Sequence, residues 1–270
     1  MTVEETSTVR VGRSELRVVV RRGTDVTTTP LLLCNGIGAP QETLRPFVEA
    51  LDPRLTAIRF DVPGVGASPL PRTPLPYTVI ARLAAGLVRE LNYHRFDVLG
   101  ISWGGGLAQQ IAFQHRRRCR RVVLAATAAG WMMVPASPKV LRHMVTPGRY
   151  RDPAYAAAIA GELYGGSVRQ HPGSARSLLV GADRPPSPKG YLYQLLAGAG
   201  WTSLPFLPLI RQRTLVLAGT DDPLIPVANA RVMARLLPNA RLHTYDDGHL
   251  ALVTAASELA PVVARFLLEP

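Results

Sequence analysis

A serine between glycines, a histidine behind a glycine, and an aspartate pair between the two in the chain are the residues best suited to chemistry. Gly100-Ile101-Ser102-Trp103-Gly104 follows the apolar run Phe96–Leu99 and opens a stretch of helical character. In that strand–turn–helix context, Gly-x-Ser-x-Gly places a serine on a sharp, strained turn at a sheet edge. Small neighbours are needed because the turn packs against other backbone, and Gly104 and Gly105 provide them. The helix N-terminus adds partial positive charge where an oxyanion would develop. A serine hydroxyl is a weak nucleophile until a base takes its proton. The elbow's usual chain order is serine, acid, histidine. Of the six histidines, only His243 and His249 follow the run Thr214–Ala218. His243 lies inside the run Leu242–Tyr245 and reads as a strand residue. His249 follows the turn Asp246-Asp247-Gly248 and is the candidate base. The acid belongs in the preceding turn, Gly219-Thr220-Asp221-Asp222-Pro223, which offers two carboxylates where one is needed. The plainer reading of that turn is an acidic helix start before Val227. Pro223 biases Asp222 toward an extended backbone.

A tetrahedral intermediate needs two N–H donors. The residue after the nucleophile, Trp103, supplies one. The loop Asn35-Gly36-Ile37-Gly38, after the run Leu31–Cys34, supplies the other, with Ile37 as the expected donor. The same loop has Gly-x-Gly after a strand, but Gln41 stands where a dinucleotide-binding turn needs its third glycine, and Pro40 sits between. Asp61-Val62-Pro63-Gly64-Val65-Gly66-Ala67-Ser68 lacks the Gly-Lys-Ser/Thr ending of a phosphate loop and reads as a structural turn. No metal-ligand spacing occurs, so neither metal nor cofactor is expected.

These residues need a scaffold. Thr8–Val11 and Leu16–Val20 flank Gly12-Arg13-Ser14 and predict a hairpin. Beyond it, apolar runs at Leu31–Cys34, Leu55–Val62, Phe96–Ile101, Val122–Ala126, Thr214–Ala218 and Leu242–Tyr245 alternate with helical stretches. The helices are expected at Glu42–Leu51, Thr78–Leu91, Gly104–Arg117, Val227–Leu237 and about Ala255–Leu268. Strands apolar on both faces, separated by helices, predict an α/β fold with a mostly parallel sheet covered on both sides. Residues 130–209 carry no clear strand, and some eighty residues exceed a plain loop. They read as an inserted cap over the C-terminal sheet edge, with 1–129 and 210–270 forming the core.

Composition narrows the setting. The chain has 270 residues and a formal charge of +12, and only Lys139 and Lys189 among its cations are not arginine. The densest run, His115-Arg116-Arg117-Arg118-Cys119-Arg120-Arg121, falls at an expected helix C-terminus, where cations complement the dipole. No nucleic-acid motif or interleaved aromatics accompany it, so no nucleic-acid partner is expected, and the arginines read as solvated surface. The first ten residues lack the apolar run of a secretory signal, and no stretch is long enough for a membrane span. Cys34 and Cys119 are too few for a disulfide framework, and Cys34 reads as core. A cytoplasmic setting follows.

With these residues assembled, the chain resembles the α/β-hydrolases throughout. Within that superfamily it is similar to intracellular depolymerases of medium-chain-length poly(3-hydroxyalkanoate). The similarity rests on NGIGA at 35–39, FDVPGVGAS at 60–68, GISWGGGLAQQ at 100–110, VLAATAAG at 123–130, AGAGWTS at 197–203, AGTDDPLIP at 218–226 and DDGHL at 246–250. Many α/β-hydrolases carry His-Gly where this chain has Asn35-Gly36. The stretch from Tyr150 to Arg184 departs most from the group's pattern. The resemblance implies an eight-stranded, mostly parallel sheet with a mainly helical cap, and a Ser102–Asp222–His249 triad. Asp222 is favoured because the acid stands three residues after the strand-ending glycine, here Gly219. It further implies hydrolysis of an apolar acyl ester, substrate contacts from Asn35, Gly36, Trp131 and Trp201, and docking on storage granules. Trp131, Met132, Met133 and Trp201 are docking candidates, with cap packing the alternative for each. The rival expectations are a lipase, small-ester esterase or C–C bond hydrolase on the same scaffold, and a catalytically silent ligand-binding homologue.

Overall fold

The computed structural model describes residues 4–145, 147–171 and 187–270. Its strands are β1 Glu4–Val11, β2 Ser14–Arg21, β3 Leu31–Cys34, β4 Ala57–Phe60, β5 Phe96–Ile101, β6 Cys119–Ala125, β7 Arg213–Gly219 and β8 Ala240–Tyr245. They form one eight-stranded sheet in the order β1-β2-β4-β3-β5-β6-β7-β8. The β1–β2 hairpin pairs antiparallel with itself and with β4, and every later pairing is parallel. The expected hairpin and all six expected runs are present, and the parallel strands β3 to β7 are nearly all buried because both their faces are covered, whereas β8 at the sheet edge is not.

Alternation along each strand divides the core. Leu32, Cys34 and Val98 face one layer with the helices Tyr77–Glu90, Trp103–Gln114 and Val227–Leu236. Leu31, Leu33, Leu99 and Ile101 face the other, with the helices Arg45–Ala50, Ala251–Thr254 and Ala256–Leu268. The helix expected at Glu42–Leu51 starts as a 3-10 turn at Gln41–Leu44 and continues as an α-helix only from Arg45, with Pro46 in its first turn. The last expected helix is present as Ala256–Leu268, preceded by a short helix at Ala251–Thr254.

The basic run is the larger correction. The helix ends at Gln114, and β6 begins at Cys119, so Arg120 and Arg121 are strand residues. Arg121 is buried rather than solvated, and so are Arg21, Arg59 and Arg149. Arg121 donates to the carbonyls of Phe266, Leu267 and Glu269, where the last helix ends. Arg118 donates to those of Ala85, Tyr93 and His94. Arg21 donates to those of Val48, Leu51, Asp52 and Leu55. A planar guanidinium has five N–H groups and can satisfy several unpaired helix carbonyls at once. Arg116 and Arg117 remain exposed.

Residues 130–209 contribute no strand among those described. Their helices Pro138–Leu141, Pro153–Tyr164 and Pro188–Gly198 all begin with proline behind a capping side chain: Ser137, Asp152 and Ser187. A separate apolar cluster joins Val140, Ile159, Leu163, Val168 and Tyr191 to Ile37 and Leu224, which stand beyond β3 and β7. The segment's two ends meet, with Gly130 bridging Thr202 and Trp131 N–H donating to Trp201 O. Of the divergent stretch from Tyr150 to Arg184, residues 172–184 lie outside those described.

Candidate active site

Ser102 sits between β5 and its helix at φ 54°, ψ −122°, a backbone conformation that is costly for a residue with a Cβ. Its surroundings hold it there. Ser102 N–H donates to Ala125 O, and its carbonyl accepts from Gly105 N–H and Thr127 Oγ1. The adjacent glycines are steric requirements. A Cβ on Gly100 would lie 2.2 Å from Gly104 O, one on Gly104 would lie 2.1 Å from Cys34 O, and one on Gly105 would lie 2.3 Å from Thr127 Oγ1.

His249 and Asp222 are both buried, and Nδ1 of the imidazole lies 2.8 Å from Asp222 Oδ2. An ionised carboxylate can only accept, so Nδ1 carries the proton and Nε2 is left as the basic nitrogen. The other oxygen of Asp222 accepts from the N–H groups of Leu224 and Ile225. Asp221, one residue earlier, points elsewhere: its carboxylate accepts from Gly166 N–H and Arg169. Ser102 and His249 line the same cavity.

That inner cavity is small, about 40 Å³, and almost wholly apolar, with Ile37, Leu224 and Val253 in its wall. Asn35 and Gly36 lie on it too. The Asn35 amide is engaged within its own loop, donating to Pro40 O and accepting from Gly36 N–H. Gly36 brings this loop against the elbow, since a Cβ there would lie 3.7 Å from that of Ser102. On its other side Ser102 borders an outer cleft of about 320 Å³, lined by Tyr77, Trp103, Trp131 and Trp201. Trp201 donates through Nε1 to Gln110 and meets Tyr77 edge-on. Trp131 is 63% exposed at the rim. Ser102, Asp222, His249, Ile37 and Trp103 are thus gathered at one place, with Asn35 and Gly36 on one side of the serine and Trp131 and Trp201 on the other.

The turn expected after β4 has a structural carboxylate. Asp61 is buried, accepts from Gln41 and Ala67 N–H, and has no ion pair among the described residues. Burial raises its pKa to about 6 against the two stabilising N–H bonds. Gly66, at φ +53°, makes room for it, because a Cβ there would stand 2.3 Å from Asp61 Oδ2. Sequence reasoning overlooked Gln194, Tyr164 and Asp247, all of which touch the loops just described. Only the glycine pair after Tyr164, which suggests a close backbone approach, could have flagged one of them.

Comparison with known proteins agrees with this architecture. The family model described as the alpha/beta hydrolase fold matches residues 29–256. The chain belongs to that family and is a hydrolase. It is 49% identical over 260 residues to the poly(3-hydroxyalkanoate) depolymerase of Ectopseudomonas oleovorans, covering 96% of this chain and 91% of that protein. It is 29% identical over 198 residues to a 2-hydroxymuconate semialdehyde hydrolase of Pseudomonas putida, covering 69% and 67% of the two chains. Among solved structures, the enol-lactonase of Burkholderia xenovorans matches with a TM-score of 0.80 at 25% identity, over 97% of this chain and all of that one.

Proposed function

We propose that the protein is a serine hydrolase that cleaves the ester bonds of a poly(3-hydroxyalkanoate) and releases 3-hydroxy acids. The observation that carries the chemistry is the buried His249–Asp222 pair facing the same cavity as a serine held at positive φ. His249 Nε2 takes the Ser102 proton as Oγ attacks the ester carbonyl. The N–H groups of Trp103 and Ile37 hold the resulting oxyanion. The C–O bond then breaks, and the imidazolium gives its proton to the departing 3-hydroxyl. Water, deprotonated by the same imidazole, attacks the acyl-enzyme, and Ser102 recovers its proton as the acid leaves. Asp222 holds the tautomer and stabilises the imidazolium.

The polymer as substrate is supported by the 49% identical relative and by the site's surroundings. Trp131, Met132, Val134, Leu141 and Val145 are exposed apolar residues of the segment after β6, and Trp131 and Leu141 line the outer cleft. An apolar rim suits a water-insoluble polyester surface. In this reading 130–209 is the cap and the cleft receives the acyl chain. The setting is the cytoplasm, at storage granules. No helix of the described residues is long and apolar enough to cross a membrane.

The test is to give purified protein granules of medium- and short-chain polyester beside soluble esters of graded length, and to measure released acid. Release of 3-hydroxy acids from medium-chain granules is expected. Rapid turnover of short soluble esters with no action on either polymer would remove the depolymerase reading and leave ester hydrolysis standing.

A further inference from the structure

A triad uses one aspartate, yet the two turns that carry its acid and base hold four. The destinations of the other three carboxylates form a pattern. Asp246 accepts from Thr220 Oγ1 at 3.0 Å and joins the two turns to each other. Asp221 accepts from Gly166 N–H and Arg169 Nη2, both at 2.8 Å. Asp247 is buried and accepts from Ser167 N–H at 2.6 Å, Gly248 N–H at 2.7 Å, Ser167 Oγ at 3.1 Å and Thr254 Oγ1 at 3.2 Å. Asp221 and Asp247 therefore grip one short strap, residues 165–169, of the segment between β6 and β7. The strap's sequence permits the grip. Gly165 and Gly166 have φ of +65° and +51°, and a Cβ on Gly166 would fall 1.9 Å from Asp247 Oδ1. Just before the strap, Tyr164 O accepts from His249 N–H at 2.7 Å and the Tyr164 ring stacks on the imidazole.

The opposite side of the site is held by one residue of the same segment. Gln194, on the helix Pro188–Gly198, is 3% exposed. Its Oε1 accepts from Gly38 N–H at 2.7 Å, and its carbonyl accepts from Trp103 Nε1 at 2.8 Å. Gly38 follows Ile37, so Gln194 touches both stretches that bear the proposed oxyanion donors. The Gly38 N–H can only donate, which fixes the amide orientation, and among the described residues the buried Nε2 has no hydrogen-bond partner. An unpaired buried amide costs stability. An apolar side chain would remove that amide but would also strip the buried Gly38 N–H of the acceptor that the glutamine supplies.

We propose that Gln194 and Asp247 are positioning residues, through which the segment 130–209 fixes the oxyanion loop and the His249 turn and so completes the active site it covers. The proposal rests on the serine-hydrolase reading and is independent of the polymer as substrate. Displacing a reacting group by about 1 Å can cost on the order of 10²-fold in rate.

The experiment compares wild type with Gln194→Met and Asp247→Asn, each checked for folding by circular dichroism and thermal melting. Two quantities are read: kcat and KM on a soluble nitrophenyl ester, and inhibition by a boronic acid that mimics the tetrahedral adduct. Both variants should lose about 10- to 100-fold in kcat with KM within about twofold, as expected for groups felt mainly in the transition state. In Gln194→Met the boronate inhibition constant should rise by the same factor as kcat/KM falls. Folded variants with wild-type kcat, or a kcat loss in Gln194→Met without matching loss of boronate affinity, would overturn the proposal. If Asp247→Asn does not fold, Ser167→Ala removes one hydrogen bond and no charge; it should lower kcat severalfold, and an unchanged kcat counts against the proposal equally. Labelling of wild type at Ser102 by a fluorophosphonate tests the underlying reading separately.

Discussion

The two ends of the sheet bury polar groups for opposite purposes. At the N-terminal ends of the parallel strands, the donors of Arg21, Arg118 and Arg121 go to the protein's own carbonyls, mostly where helices stop. Arg120 there makes a two-point pair with the buried Asp97, whose pKa burial raises although the guanidinium opposes it. At the C-terminal ends, Ser102 is strained, Ser102 and His249 line one cavity, and aromatic rings line a cleft. A site that must bind something else cannot satisfy all its groups internally. Substitutions at the two ends should separate burial that stabilises the fold from burial that serves the proposed reaction.

The largest effect is expected at Ser102. Ser102→Ala should lose on the order of 10⁴- to 10⁶-fold in turnover, since triad members act as a unit. Fluorophosphonate labelling should disappear with it, and equal labelling of wild type and variant would remove Ser102 as nucleophile. Asp222→Asn should cost about 10⁴-fold by favouring the wrong imidazole tautomer, with little change in melting temperature. At the other end, Arg121→Met should do the reverse. Several carbonyls of the last helix lose their donor, for an expected destabilisation of roughly 2–4 kcal/mol. Turnover per folded molecule should stay within about twofold, read from urea melts and active-site titration. A stable but inactive Arg121→Met would mean that the two ends are not separable in this way.

Legibility in the sequence followed the same division. The strands were readable because Leu31–Cys34 and Phe96–Ile101 are apolar on nearly every position, as short strands covered on both faces must be. The elbow was readable because its glycines answer local steric demands at 2.1–2.3 Å. The arginine run was misplaced because charge is normally a surface signal, and nothing local shows that Arg121 will meet Phe266 and Leu267, some 145 residues away. The helices of 130–209 left usable signals in Ser137-Pro138, Asp152-Pro153 and Ser187-Pro188, each a cap followed by proline. Gln194 left none, because its role exists only once Gly38, 156 residues away, is beside it.

Asp61 gives a smaller, pH-dependent effect at the functional end. Its folded pKa of about 6 lies above its ordinary 3.8. Between these values the folded state holds a proton that the unfolded state has released, so stability falls as pH rises through the window. The contribution is complete below about pH 4 and lost above about pH 6. Asp61→Asn removes this titration. Thermal melts should show the stability difference, wild type minus variant, larger at pH 4 than at pH 7. A difference that stays constant, or grows toward pH 7, would show that Asp61 is not protonated preferentially in the folded protein.

The smallest effect is expected one residue from one of the largest. Asp221 and Asp222 share a turn, and a sequence cannot separate them by proximity to the strand end. Their partners can. Asp222 is buried and bonds the imidazole at 2.8 Å, whereas the Asp221 side chain is half exposed and turned to Gly166 N–H and Arg169. An asparagine at 221 keeps an acceptor for Gly166 N–H and loses the charge opposite Arg169. An exposed pair of that kind is worth about 1 kcal/mol or less, and its field at the site is screened by salt. Asp221→Asn should therefore retain turnover within about tenfold, while Asp222→Asn loses about 10⁴-fold. The residual loss at 221 should come from a looser strap, and Arg169→Gln, which breaks the same ion pair from the other side, should reproduce it. Parallel kinetics of the three variants decide the matter, because a loss near 10⁴-fold in Asp221→Asn with Asp222→Asn active would place the acid one residue earlier and detach the strap from the aspartate that holds it here.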